Sequence, residues 1–197
     1  MTAPSVRPPP TLQTARLLLR PITHADVPAI FGLFSDPAVV RYWSRPAMHD
    51  RMQARRLVSD IRKGYRTGSV LQLGVTLRDA GTLLGTCTLF AFHAASRRAE
   101  LGYALGHAHW GNGYMNEALV RLLAYAFDEL GLHRLEADID PANEASARTL
   151  LRLGFVREGL LRERWIVGDG ISDSEIYGLL RSEWNCLRPP AANGAAP

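Results

Sequence analysis

From residue 116 to 130 the apolar positions Ala118, Leu119, Leu122, Leu123, Tyr125, Ala126 and Leu130 recur three and four apart, and Gly131 follows them. That spacing lays one apolar stripe along a helix, and the glycine marks its end. Just upstream, the apolar and aromatic run around ELGYAL reads as a strand. The same reading along the chain predicts strands over 14–20, 70–77, 82–92, 98–105, 134–140, 160–167 and 173–180, and helices over 24–35, 50–66, 116–130, 143–153 and 181–186. Thr23 and Asp26 have the spacing of a capping box at the head of the first helix. The turn Arg78-Asp79-Ala80-Gly81 joins two β-rich runs, and a meander follows. Strands in a run, then strand and helix in alternation, predict a mixed α/β or α+β sheet.

Composition narrows this to one domain. The chain has 197 residues, 47% of them hydrophobic, which suits a single core, here expected over 11–187. Residues 1–10 are rich in proline and 188–197 form an Ala/Pro/Gly/Asn tail, so both ends are expected to be flexible. No apolar stretch approaches the roughly 20 residues of a membrane span and no signal-peptide core opens the chain, so a cytoplasmic protein without membrane contact is expected. Two cysteines, Cys87 and Cys186, do not make a disulfide scaffold. The net charge of +4 comes from dispersed arginines without a basic stripe or stacking aromatics, which argues against a specific nucleic-acid partner. Some of these charges suit attraction of a polyanionic cofactor.

Chemistry concentrates in His109-Trp110-Gly111-Asn112-Gly113-Tyr114-Met115-Asn116-Glu117-Ala118, which sets two glycines between a strand and a helix. The first turn of a helix has N–H groups without intrahelical partners and the positive end of the helix dipole, a site for phosphates. Gly111 and Gly113 can take positive φ and let a diphosphate approach the main chain. The run is not a Walker A loop, because no Gly-Lys-Ser/Thr follows, nor a Gly-x-Gly-x-x-Gly dinucleotide turn. His107 and His109 lack a third ligand at metal-site spacing, so no metal is expected.

This run resembles the acyl-CoA loop of the GNAT superfamily of N-acetyltransferases, and within it the RimJ/RimL-like branch, whose usual form is Trp-Gly-x-Gly-Tyr-x-x-Glu-Ala. The resemblance spans roughly 12–187. It includes Thr14-Ala15-Arg16-Leu17-Leu18-Leu19-Arg20-Pro21, the run from Arg134 through Asn143 to Ser146, Leu153-Gly154-Phe155, and Asp173 to Leu180 with Glu183-Trp184. It implies a twisted, mostly antiparallel mixed sheet with helices on both faces, splayed between its fourth and fifth strands (98–105 and 134–140) where the pantetheine arm of CoA inserts. Two positions depart from the superfamily pattern. Met115 replaces a common alanine, and Leu150 stands where many members carry a tyrosine that protonates the leaving thiolate.

The resemblance implies an acetyl-CoA-dependent N-acetyltransferase acting by direct attack of a primary amine, on a peptide N-terminus or a small molecule. A transferase of longer acyl groups and a CoA-binding sensor without turnover are the alternatives, and a homodimer is compatible with the family. Trp110, Gly111, Asn112, Gly113, Tyr114, Met115 and Asn116 are then expected at the cofactor, with the main chain of Leu105 and the side chain of Asn143, which also suits a helix N-cap. Ser146 takes over as the acid for the thiolate. Glu100 is the expected general base. Tyr42, Trp43 and His49 fall in the region that lines the acceptor side, and Trp165 lies on a late strand; core packing explains these aromatics equally well.

Overall fold

A computed structural model describes residues 8–187. The flexible ends expected at 1–10 and 188–197 lie outside these, apart from Pro8, Pro9 and Pro10, which line a cavity with Tyr65 and Phe92. Eight strands form one sheet in the order β1-β2-β3-β4-β5-β6-β8-β7. They are β1 (Leu12–Gln13), β2 (Leu17–Pro21), β3 (Leu71–Leu77), β4 (Leu83–His93), β5 (Arg98–Leu105), β6 (Arg134–Ile139), β7 (Val156–Val167) and β8 (Gly170–Leu180). Every pairing is antiparallel except β5 with β6. The helices are α1 (Val27–Ser35), α2 (Pro37–Val40), α3 (Arg51–Thr67), α4 (Tyr114–Ala124), α5 (Glu144–Arg152) and α6 (Arg181–Leu187).

Alternation along β3 explains how one sheet carries two cores. Leu71, Leu73 and Val75 point one way, into a cluster with Ala118, Leu119, Leu122 and Leu123 of α4, Leu150 of α5 and Trp184 of α6. A second cluster joins Ile30, Leu33 and Phe34 of α1 to Ala54, Val58 and Ile61 of α3, with Ile22 and Ala104 from the sheet. The stripe on α3 follows helical spacing, and Asp50 caps its start by accepting from the Gln53 N–H at 2.9 Å. Among the described residues no helix is long and apolar enough to cross a membrane.

Several boundaries differ from the sequence reading for local reasons. The strand expected at 14–20 starts only at Leu17, because Thr14 turns the chain between β1 and β2: its N–H donates to the Leu17 carbonyl and its hydroxyl accepts from the Leu17 N–H at 2.8 Å. The box at Thr23 closes from the carboxylate side, with the Thr23 N–H donating to Asp26 Oδ2 at 2.8 Å, but His24–Asp26 is a 3-10 turn and α1 begins only at Val27. The helix expected over 116–130 begins at Tyr114 and passes at Tyr125 into a π-helical turn, closed by the Leu130 N–H on the Tyr125 carbonyl at 3.0 Å. Strands β7 and β8 are both longer than expected and form one hairpin.

The feature that positions the site is the parting of β5 from β6. They pair only at Arg98 with Arg134, Ala99 with Leu135 and Glu100 with Glu136. Beyond that point β5 stays with β4 as far as Leu105, and β6 stays with β8 as far as Ile139. Ion pairs hold the closed end of the fork. Glu136 takes Arg98 and Arg134, each at 2.8 Å, and Arg134 reaches on to Glu158.

Candidate functional site

The loop between β5 and α4 adopts the conformation its glycines allow. Gly111 and Gly113 lie at φ +76° and +74°, in the left-handed region, and Gly113 is the N-cap of α4. Asn112 spends its amide inside the loop, donating to the carbonyls of His109 at 3.2 Å and Trp110 at 3.0 Å. A strut from the start of β2 braces the loop from outside. Arg16 donates through Nη1 to the Asn112 carbonyl at 3.0 Å and through Nε to Glu117 at 2.6 Å, and its guanidinium lies 4.7 Å from the Tyr114 ring centre. Burial pushes the Glu117 carboxyl up, but the Thr14 hydroxyl and the Arg16 N–H and guanidinium outweigh it and hold the group below its ordinary value.

Met115 turns into the core at 8% exposure, so only its main chain faces the loop. Trp110 is half exposed, tilts against His107 with ring centres 4.6 Å apart, and donates its Nε1 hydrogen to the Leu105 carbonyl at 2.7 Å. The side-chain oxygen of Asn116, in the first turn of α4, is buried and has no hydrogen-bond partner. Open left-handed glycines, unpaired helix N–H groups and an unpartnered buried polar atom together fit a polar, anionic ligand at this turn.

From the fork at Glu100 to Leu105, β5 presents about 17 Å of strand edge at roughly 3.4 Å per residue. The Gly106 N–H donates to the Leu84 carbonyl at 2.8 Å, so main-chain groups of even-numbered residues face β4. By antiparallel alternation those of Leu101, Tyr103 and Leu105 face the split, the Leu105 carbonyl already holding the Trp110 indole N–H. That edge can pair with the amides of an extended ligand, as an added strand would. Across the gap, Asn143 caps α5 by accepting from the Ser146 N–H at 3.1 Å, and both residues line the split. Ser146 is buried, and its Oγ lies 2.7 Å from the Tyr103 hydroxyl.

The split opens on the face of α1 and α3 into a cavity of about 700 Å³. Tyr42, Trp43, Phe90 and Trp165 form its aromatic walls, and Asp60, Glu100, Asp138 and Asp140 its acidic ones. Glu100 stands at the last paired position of the fork. Burial, then the neighbouring Glu136 and Asp138, raise its carboxyl above the ordinary value. Trp165 is aimed by a bulge: Glu163 takes φ +53°, the β7–β8 register shifts between Leu161 and Trp165, and the indole N–H reaches Asp138 at 3.3 Å. Asp138 also accepts from Arg164 at 3.1 Å and from the Ser174 hydroxyl.

Of the residues singled out in the sequence, Tyr42, Trp43, Glu100, Asn143, Ser146 and Trp165 come together around this cavity. His49 does not line it; it precedes α3 and its N–H donates to Gln53 at 2.8 Å. The loop at 110–116 lies beyond Leu105, at the other end of the open edge. Tyr103, Asp138 and Arg16 escaped the sequence reading. The absence of a helix tyrosine at Leu150 was the one signal that another hydroxyl had to be sought. Among the described residues no group of three or more His, Cys, Asp or Glu is placed to hold a metal ion.

The family model described as an acetyltransferase (GNAT) domain matches residues 16–156. An uncharacterized N-acetyltransferase of Bacillus subtilis (strain 168), YoaA, is 36% identical over 172 residues, covering 87% of this chain and 97% of that protein. The ribosomal protein uS5-alanine N-acetyltransferase of Escherichia coli (strain K12) is 28% identical over 129 residues, covering 63% of this chain and 64% of the other. Among solved structures, Mycobacterium smegmatis RimJ in complex with CoA-disulfide superposes with a TM-score of 0.79 at 25% identity, covering 89% of this chain and 89% of that one.

Proposed function

We propose that this chain, which belongs to the GNAT acetyltransferase family and is an acetyltransferase, moves the acetyl group of acetyl-CoA to a primary amine by direct attack. The observation that carries this reading is the parting of β5 from β6 just after Glu100. It sets an unpaired strand edge between an anion-suited loop at one end and a carboxylate-lined cavity at the other.

Acetyl-CoA supplies an activated thioester; the chain supplies placement and proton handling. The main chain at 111–116 and the α4 N-terminus hold the diphosphate. The open edge of β5 pairs with the pantetheine amides, and an N–H of that edge polarises the thioester carbonyl. The acceptor enters from the aromatic and acidic cavity, whose carboxylates favour an amine arriving as its cation, and it gives one proton to solvent to become the neutral nucleophile before it attacks. Glu100, with its affinity for protons raised, takes the surplus proton, and Ser146 donates one to the departing thiolate. The Escherichia coli relative is named for an alanine of a ribosomal protein, which supports a peptide α-amine as the acceptor beside small amines.

The test is thiol release from acetyl-CoA and longer acyl-CoAs against a panel of peptides and small amines. Acceptor-dependent release, fastest with the acetyl thioester, is the expected result. Tight CoA binding without release for any acceptor would overturn it in favour of a sensor.

A further inference from the structure

One side chain on the open edge has no task in the reaction as described. Tyr103 projects from β5 toward α5, and its hydroxyl lies 2.7 Å from Ser146 Oγ and 3.4 Å from the Ser146 carbonyl. Among the described residues Ser146 Oγ has no other hydrogen-bond partner. A serine hydroxyl has a single hydrogen and two lone pairs, so the direction of this one contact decides what Ser146 can do next. A phenol is far more acidic than an aliphatic alcohol and is the natural donor of the two. With the phenol donating, the Ser146 hydrogen is free to turn into the split; with the serine donating, it is spent on Tyr103.

We infer that Tyr103 is the positioning residue of the acid: its hydroxyl donates to Ser146 Oγ, aims the serine hydrogen at the departing sulfur and replaces it when it leaves. As the new C–N bond is completed the C–S bond breaks. The sulfur takes the Ser146 proton, Ser146 takes that of Tyr103, and the phenolate recovers a proton from solvent, to which Glu100 releases the one it took from the amine. Burial, opposed only by the bond to Ser146, pushes the phenol up to about 12, so it stays protonated throughout the working range. A strand tyrosine placed this way supplies the hydroxyl that Leu150 cannot.

This inference rests on the acetyl-transfer reading, and the assay separates the two: wild-type protein that releases no thiol with any amine fails that reading, whatever Tyr103 does. With turnover established, Tyr103→Phe is expected to lower kcat about 10- to 100-fold, less than the roughly 10²- to 10⁴-fold for losing the acid itself because Ser146 keeps its own hydrogen, with CoA affinity within about threefold. Combined with Ser146→Ala, it should add no further loss, because the two hydroxyls act in series. A ring-fluorinated tyrosine at 103 keeps the shape but is more acidic, and should bring into the working range an alkaline fall in kcat that the wild-type phenol, protonated throughout that range, does not cause; this arm also serves if the phenylalanine variant does not fold. Wild-type kcat in Tyr103→Phe, losses that multiply in the double variant, or a pH profile that fluorination leaves unchanged would each overturn the role and leave Tyr103 a packing residue.

Discussion

Replacing Gly113 tests whether the loop grips the cofactor through its main chain. Gly113 stands at φ +74°, and a Cβ built there meets only Arg16 Nη2 at 3.6 Å, an ordinary contact. Any cost of a side chain therefore comes from the backbone and not from a clash. For an L-residue the left-handed region costs about 1–2 kcal/mol. If alanine keeps that conformation in the free protein, the cost falls on folding and Tm drops by roughly 2–4 °C per kcal/mol for a chain of this size. If the loop relaxes instead, binding must restore it, and the CoA Kd rises about 5- to 30-fold at 1.4 kcal/mol per decade. Valine, β-branched, tolerates positive φ least, so its cost moves onto binding and a loss of at least about tenfold is expected. Gly32→Ala in α1, where a Cβ meets nothing within 4 Å and no positive φ is involved, is the control. Calorimetric titration with CoA, alongside melts without it, measures both shares. A folded Gly113→Val protein that binds CoA like wild type would remove the loop from the binding site.

Glu100→Gln should lower kcat/KM by about 10²- to 10⁴-fold, and the wild-type rate should rise with pH through a carboxyl above the ordinary value of about 4.3; an unchanged rate would rule Glu100 out as the base. The same raised group makes ionised Glu100 destabilising. Its contribution to stability is complete below the unfolded pKa and lost as pH rises through the folded one, so the glutamine variant should melt higher at neutral pH and the gap should close in acid. Equal melting at neutral pH would refute that account. Arg16→Met removes the strut; because Arg16 is half exposed, stability should change by no more than about 1 kcal/mol while the CoA Kd rises roughly three- to tenfold, and an unchanged Kd would show that the loop holds its shape unaided. A peptide α-amine, with pKa near 7.8, needs far less deprotonation than a lysine near 10.4. Peptides with free N-termini should therefore show higher kcat/KM than blocked peptides carrying an internal lysine, and the reverse ranking would demand a stronger base than Glu100.

Legibility from sequence followed the range of the interactions. The β5 boundaries at 98–105 and the glycine turn after it were readable because strand alternation, turn glycines and helix period are set by near neighbours. The Asn143 cap was readable for the same reason: its partner is the Ser146 N–H, three residues on. The start of the strand expected at 14–20 was misplaced by a side chain, since Thr14 offers the main chain a turn that apolar pattern does not register and the strand begins at Leu17. Tyr103 was missed because its meaning lies in a hydroxyl 43 residues away, and the Arg16 strut because Glu117 is 101 residues away. Whether Met115 faced ligand or core was open until α4 was set against β2.

The acceptor side was the least legible part, and its construction explains why. Its walls come from the segment after α2, from β4 and β5, and from the β7–β8 hairpin, three regions with no local pattern in common. Asp138 on β6 ties the last of these to the split, gathering Arg164, Trp165 and Ser174 of the hairpin at its edge. Trp165 reaches that carboxylate only because Glu163 accepts a left-handed backbone, stabilised by its N–H on Asp173 at 2.8 Å. A non-glycine residue at positive φ inside a strand is a local cost, and a periodicity reading predicts the regular strand in its place. The donor half of the site is thus built from regular elements that end where short-range rules end them. The acceptor half depends on a break in a regular element, and that break sets the wall against which an incoming amine must fit.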